Sequence, residues 1–258
     1  MSADWLPPDV LSGFLLTLAR VTATLTLIPL PGVRAAASPV KGILALAIAL
    51  ILAPAWPRSV NAFQSLGGLI ALLLGEVAVG FLLGLVAGIA IESLVLAAQV
   101  ISLQAGYAYA STIDPASEAD AGVLPVFAQL AGSVIFLSSG LDRQVFAALG
   151  RSLEAYPPGF DMATGSMVER VARLGSVLLE YGLRLALPIV ALLLLTDLTL
   201  SLLARLNSQL PLLSVSFSVK MLAALLLLAW LIPTWPSLLR AASAACWQVL
   251  GPLVGGLA

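Results

Sequence analysis

Between Leu66 and Ala105 the chain carries charge only at Glu76 and Glu92. A helix needs ~20 mostly apolar residues to cross a bilayer, so this single run suffices for a crossing and decides the class of the protein. The uncharged stretches 42–57, 59–75, 77–91, 93–113, 121–141 and 221–239 approach or reach the same length. Composition agrees: 60% of the 258 residues are hydrophobic and 10% are charged, against ~45–50% and ~25% in a soluble domain. The expected fold is all-α, a polytopic membrane protein whose few charges must be solvated or paired.

Several kinds of chemistry are excluded by residue type. The chain has no histidine and one cysteine, Cys246, so no Ser-His-Asp or Cys-His nucleophile, no His-containing zinc site and no internal disulfide can be built. Asp197 stands alone in its apolar run, which rules out an intramembrane aspartyl pair, and no GxxxxGK[ST] string offers a phosphate cradle. The protein is expected not to be an enzyme and to hold neither metal nor cofactor. With a net charge of −1 and no long basic or acidic run, nucleic acid has no electrostatic footprint here. Met1 to Asp9 contains acids and no basic residue, so it does not read as a cleavable signal peptide.

Along the chain, a first apolar segment runs from Val10 to about Leu30 and a second from Gly42 to Ala53, each ended by prolines. In the long third run Gly80, Gly84 and Gly88 recur at i, i+4 and i+8. This doubled GxxxG face lets another helix backbone approach closely, either as general membrane-helix packing or as a specific subunit contact. After an apolar run from Val123 to Leu141, residues Asp142 to Arg173 form the one extended polar region, broken by Pro157, Pro158 and Gly159. A helix is expected from about Met167 to Leu206, with Glu180 and Arg184 at pairing distance and Pro188 inside, then another from Leu212 to Leu231, then an amphipathic or interfacial segment. Trp5, Trp56, Trp230, Trp235 and Trp247 all lie at or beyond the ends of apolar runs, where an interfacial aromatic belt would place them. One crossing per segment conflicts with the positive-inside rule, and splitting the third run near Glu92 into two crossings would bring Arg34, Lys41, Arg143, Arg151, Arg170 and Arg173 to one side. The alternative is that some helices are buried in a protein assembly.

Arg20, Glu76, Glu92, Asp197 and Lys220 interrupt apolar runs, where an unpaired charge costs at least ~2.5–3.5 kcal/mol. Each needs a partner or water, whether for structural pairing or in an ion relay. The stretch 106–122, reading GYAYASTIDPASEADAG, is unlike the rest: small and hydroxyl side chains, Asp114, Glu118 and Asp120, Pro115, and Gly106 and Gly122 at its ends. Irregular backbone cannot face lipid, so this segment lines water, is enclosed by protein, or is an ordinary extramembrane loop.

The strings flanking that segment are Leu103-Gln104-Ala105-Gly106 and Ile113-Asp114-Pro115-Ala116-Ser117. They resemble the LQxG and DPxS elements of the FliR family, called SctT in virulence systems, integral components of the type III secretion export apparatus. Arg20, Arg34, Pro39, Lys41 and Gly42 fit the same resemblance, which covers nearly the whole chain; Ala98 and Gln99 depart from it, standing where many members have glycine and an acid. From Pro188 to Pro233, with Gln209, Leu210, Ser216 and Lys220, the chain also resembles the two-helix FliQ family.

The resemblance implies a chain of helical hairpins, with a FliP-like part at 1–160 joined to a FliQ-like part at 161–258. It implies a structural subunit of the flagellar export gate in the bacterial inner membrane and flagellar basal body. Its partners would be FliP-like and FliQ-like subunits, an FlhB-like export switch protein and unfolded export substrates. Residues 107–120 would contribute a plug, with Gly106, Tyr107, Ala108, Tyr109, Ala110, Ser111, Thr112, Asp114, Pro115, Ser117 and Gly122 as plug and hinge residues. The rival expectation is an ion-coupled permease using Glu76, Glu92 and Asp197.

Overall fold

The structure is a computed structural model and describes residues 8–28, 38–57, 66–107, 122–157, 164–206 and 212–251. It is all-α. The helices in chain order are α1 (Pro8–Leu27), α2 (Ser38–Ile51), α3 (Leu66–Ala105), α4 (Val123–Ser138), α5 (Leu141–Ala155), α6 (Thr164–Leu206), α7 (Leu212–Leu231) and α8 (Trp235–Leu250). Single 3₁₀ turns at Ala53–Ala55 and Ile232–Thr234 follow α2 and α7. Among the described residues four helical stretches are long and apolar enough to cross a membrane, or five if α4 and α5 count as one broken span.

The long third run is one unbroken helix of 40 residues, so the expected alternative of two crossings divided near Glu92 is not what forms. No proline or bulge interrupts it, and glycine is tolerated inside a helix wherever a neighbour packs against it. At 1.5 Å per residue α3 is about 60 Å long. The first part of the polar region after Leu141 is helical: α5 runs to Ala155, with Leu141, Val145, Ala148, Leu149, Ser152 and Leu153 on its buried face. Gly140, at φ +69°, ends α4 in a conformation that side chains with a Cβ avoid.

The chain divides into two compact units, each assembled from separated stretches of sequence. Unit 1 comprises residues 1–89, 137–175 and 243–258; unit 2 comprises 90–136 and 176–242. Buried side chains of unit 1 include Leu16, Val21, Ile28, Leu82, Val86, Leu149 and Leu174, and those of unit 2 include Ile91, Leu94, Ile101, Phe136, Leu193 and Trp235.

The tryptophans depart from a uniform belt. Trp235 is fully buried, its ring centroid 6.1 Å from that of Phe127, and Trp247 is buried as well, so both serve as core. Trp56 donates its indole N–H to the Ala49 carbonyl at 2.8 Å and packs on Phe14. Trp230 is exposed, as a belt residue would be. Trp5 lies outside the described residues. Glu169 and Arg173 form an exposed i,i+4 ion pair at 2.6 Å, whereas Glu180 and Arg184 at the same spacing are both exposed and close no ion pair in the described structure.

In unit 1 the glycine face of α3 receives α1. A Cβ added at Gly80 would lie 2.2 Å from the Arg20 carbonyl oxygen, and one at Gly84 2.6 Å from that of Thr24; at Gly88 it would meet the Leu27 carbonyl at 3.5 Å, ordinary contact. Partner numbers rise together along both helices, so α1 and α3 run parallel here, backbone against backbone. Gly80→Ala and Gly84→Ala should each destabilise the purified protein in detergent by ~1–3 kcal/mol, the cost of overpacking. Gly88→Ala should leave its thermal midpoint near wild type. Equal losses at all three positions would show that close approach is not what these glycines provide.

Candidate functional site

Among the described residues two polar clusters stand within the apolar helices, one in each unit. The first is centred on Arg20, which α1 carries on its buried side; the side chains of Arg20 and Glu76 are 1% and 4% exposed. Glu76 lies one helical turn before Gly80 on the same stripe of α3, so the glycine contact that brings α1 down also delivers the guanidinium to the carboxylate. Arg20 Nε donates to Glu76 Oε2 at 2.6 Å and Nη2 to Oε1 at 2.9 Å, a bidentate fork.

The rest of the guanidinium turns to the end of α5. Nη1 donates to the Ser152 carbonyl at 2.6 Å and to Ser152 Oγ at 3.1 Å, and Nη2 to the Tyr156 carbonyl at 2.9 Å. A guanidinium has five N–H donors, and every one is used. These carbonyls belong to the last turn and the C-cap of α5, which has no basic residue of its own there; the Ser152 carbonyl also accepts the Tyr156 N–H at 3.0 Å, and the carbonyl end of a helix carries partial negative charge. Arg20 therefore neutralises a carboxylate and caps a helix C-terminus at once. Neither Ser152 nor Tyr156 carries a mark in the sequence; the one nearby signal is the break at Pro157-Pro158-Gly159, which stops any helix that precedes it.

The second cluster is in unit 2, at the C-terminal end of α3. Lys220 Nζ on α7 lies 3.0 Å from Asp197 Oδ1 on α6, with the side chains 12% and 36% exposed. Gln104, in the last turn of α3, donates Nε2–H to Asp197 Oδ2 at 3.2 Å. Lys220 Nζ also sits 5.7 Å from the Phe217 ring centroid, a cation–π distance. Glu92 is half-buried on α3 and is likewise engaged with a partner.

Gly106 follows α3 with φ +89°. Its N–H donates to the Leu103 carbonyl at 3.2 Å and that of Tyr107 to the Ser102 carbonyl at 3.0 Å, the two bonds of a Schellman cap. A Cβ at Gly106 would meet Phe217 Cδ1 at 2.7 Å, so glycine is required both for the dihedral and for the ring beside it. The Tyr107 hydroxyl donates to the Met221 carbonyl at 3.1 Å, and partial burial pushes its pKa above the ordinary phenol value. At the other end, a Cβ on Gly122 would meet the Pro125 ring and Ser102 Oγ at 3.3 Å. Ala108, Tyr109, Ala110, Ser111, Thr112, Asp114, Pro115 and Ser117 lie outside the described residues.

Removing one member of a buried ion pair typically costs ~3–5 kcal/mol. Arg20→Met and Glu76→Met should each reach that range in thermal or proteolytic unfolding of the detergent-purified protein. The double variant should recover only part of the loss, because the Ser152 and Tyr156 carbonyls lose the Arg20 N–H donors. Full recovery would reduce the role of Arg20 to the ion pair alone.

Comparison with known proteins places these clusters in context. The family described as bacterial export proteins, family 1, matches residues 11–245, a span that includes both clusters. The chain is 28% identical over 233 residues to the flagellar biosynthetic protein FliR of Pectobacterium carotovorum subsp. carotovorum, covering 90% of this chain and 89% of that one. It is 28% identical over 235 residues to FliR of Escherichia coli strain K12, covering 90% and 88%. To the surface presentation of antigens protein SpaR of Salmonella typhimurium it is 29% identical over 193 residues, covering 73% and 72%. An all-α, polytopic chain matched by the family along nearly all of its described length belongs to the bacterial export proteins, family 1.

Proposed function

We propose that this protein is a non-catalytic subunit of the type III secretion export gate, most closely of the flagellar kind. It would assemble with FliP-like and FliQ-like subunits, and with an FlhB-like export switch protein, into the channel through which unfolded substrates leave the cytoplasm. Its place would be the bacterial inner membrane, at the flagellar basal body. The observation that carries this reading is the family match over residues 11–245, with relatives named as flagellar biosynthetic proteins at near full coverage.

Within that reading, residues 1–160 are the FliP-like part and 161–258 the FliQ-like part, and residues 107–120 contribute the plug of the resting channel. Small side chains from Ala108 to Thr112 would allow close closure, and Asp114, Glu118 and Asp120 would keep the segment hydrated. Support for a place among other subunits comes from surface chemistry. Glu180 and Arg184 are exposed on α6 inside a stretch apolar enough to span a membrane, and lipid would penalise both. In unit 1 an open apolar groove of about 490 Å³ runs along α1, lined by Leu15, Leu18, Thr22, Thr26, Val77 and Phe81, a shape suited to another helix. Export would draw its energy from other components, since no nucleotide-binding string is present.

A permease reading asks Glu76, Glu92 and Asp197 to exchange protons or ions. Both oxygens of Glu76 are held by Arg20, and both of Asp197 by Lys220 and Gln104, which favours the structural reading. Purification from native membranes should bring this chain out in a defined complex with FliP-like and FliQ-like proteins. A stable lone protein with substrate-coupled proton flux would overturn the proposal. Deleting residues 110–119 should make the assembled channel leak ions, and unchanged leak together with unchanged export would remove the plug assignment.

A further inference from the structure

The end of α3 is fastened to α6 and α7 in unit 2 by more contacts than terminating a helix requires. A Schellman cap needs only the Gly106 and Tyr107 amides, and both of its bonds are internal to the α3 terminus. In addition, Gln104 donates to Asp197, Asp197 is paired with Lys220, the Phe217 ring lies against the bare α-carbon of Gly106, and the Tyr107 hydroxyl donates to the Met221 carbonyl. Three successive types of contact, polar, van der Waals and polar again, therefore hold residues 104–107 at the point where the helix gives way to the segment 106–122.

We propose that Asp197, Lys220 and Phe217 are positioning residues that latch the C-terminal root of α3 to the α6–α7 hairpin, and that Gln104 is the catch. Asp197 and Lys220 come from facing helices on either side of the connection between Leu206 and Leu212, so their ion pair sets the register of the hairpin. Gln104 reads that register: its amide reaches the carboxylate only when the hairpin is in place. The cluster is less enclosed by the chain than the Arg20 pair, at 12% and 36% side-chain exposure against 1% and 4%, and the less enclosed pair is the easier one to separate. A shift of the α6–α7 hairpin against α3 would withdraw Asp197 from Gln104 and Phe217 from Gly106 together, freeing the root of the segment that follows. This inference rests on the reading of that segment as a plug only for its consequence in the channel; the latch itself is a statement about residues 104–107, 197, 217 and 220.

The test is hydrogen–deuterium exchange of the full-length protein in its native complex, read at the Gly106 and Tyr107 amides and across α6 and α7, with ion leak measured on the same variants. Gln104→Leu cuts the tie to α3 while leaving the Asp197–Lys220 pair intact. It should raise exchange at 106–107 about tenfold, the signature of a local opening, without changing exchange in α6 or α7. Phe217→Leu should do the same, and serves where Gln104→Leu does not accumulate. Asp197→Ala should raise exchange at 106–107 and in the hairpin, and the swap Asp197→Lys with Lys220→Asp should restore both, since the Gln104 amide can turn its Oε1 toward a lysine. Local release accompanied by ion leak supports both the latch and the plug. Local release without leak supports the latch and removes the plug reading. Unchanged exchange at 106–107 in Gln104→Leu and Phe217→Leu overturns the latch, whatever the leak.

Discussion

The guanidinium of Arg20 is the group on which unit 1 depends. A cation 1% exposed among apolar side chains is tolerable only if charge and every donor are satisfied together. That requires three helices to converge: α1 to carry it, α3 to bring Glu76, and α5 to end with its carbonyls turned inward. The glycine stripe makes the convergence possible. Gly80 admits the backbone carbonyl of Arg20 itself, so the residue that needs the closest neighbour is the one whose own backbone fills the space. Glycines and ion pair are parts of one device.

Unit 2 uses the same elements in looser form. Gly182 on α6 faces α3, where an added Cβ would lie 2.8 Å from Leu96 Cδ2 and 3.1 Å from the Ser93 carbonyl, and farther along the same pair of helices Gln104 reaches Asp197. Here the carboxylate meets a lysine and an amide instead of a bidentate guanidinium. Lysine is a compact, strongly hydrated point charge on a flexible stem, and Arg presents a planar fork suited to a carboxylate. Partial exposure leaves the pair less enclosed by the chain than the Arg20 fork. The two clusters thus divide between a fixed joint and one that can be opened.

Much of this was legible in the sequence, for physical reasons that differ by feature. The all-α class followed from apolar run length alone, and α7 begins and ends at the residues expected because Pro211 and Pro233 bracket it. The charges in apolar runs could be named as needing partners because the desolvation cost is independent of fold. Their partners could not be read: Arg20 and Glu76 are 56 positions apart, and Arg20 and Ser152 are 132 apart. Carbonyl acceptors leave no mark on residue identity. Helix α5 was hidden because amphipathic helices and polar loops share composition, and its buried face shows only at a 3.6-residue period. The tryptophans misled because position at the end of an apolar run suits an interfacial residue and a core anchor equally, and only burial separates Trp235 from Trp230.

The length of α3 carries the argument beyond the single chain. At about 60 Å it is twice a hydrocarbon core of ~30 Å, and lying wholly within lipid would demand a tilt near ~60°, outside the ~0–40° that membrane helices adopt. The excess cannot simply extend into water, because the helix has no polar face: its first turns expose Leu66, Ile70, Leu74, Val77 and Phe81. A sharp kink would relieve the mismatch, yet no proline or break interrupts its 40 residues. Neither lipid nor water can cover such a rod from end to end. The chain's own helices cover part of it, and on the function proposed above other subunits would cover the rest, making a chain that is 60% hydrophobic one piece of an assembly's interior.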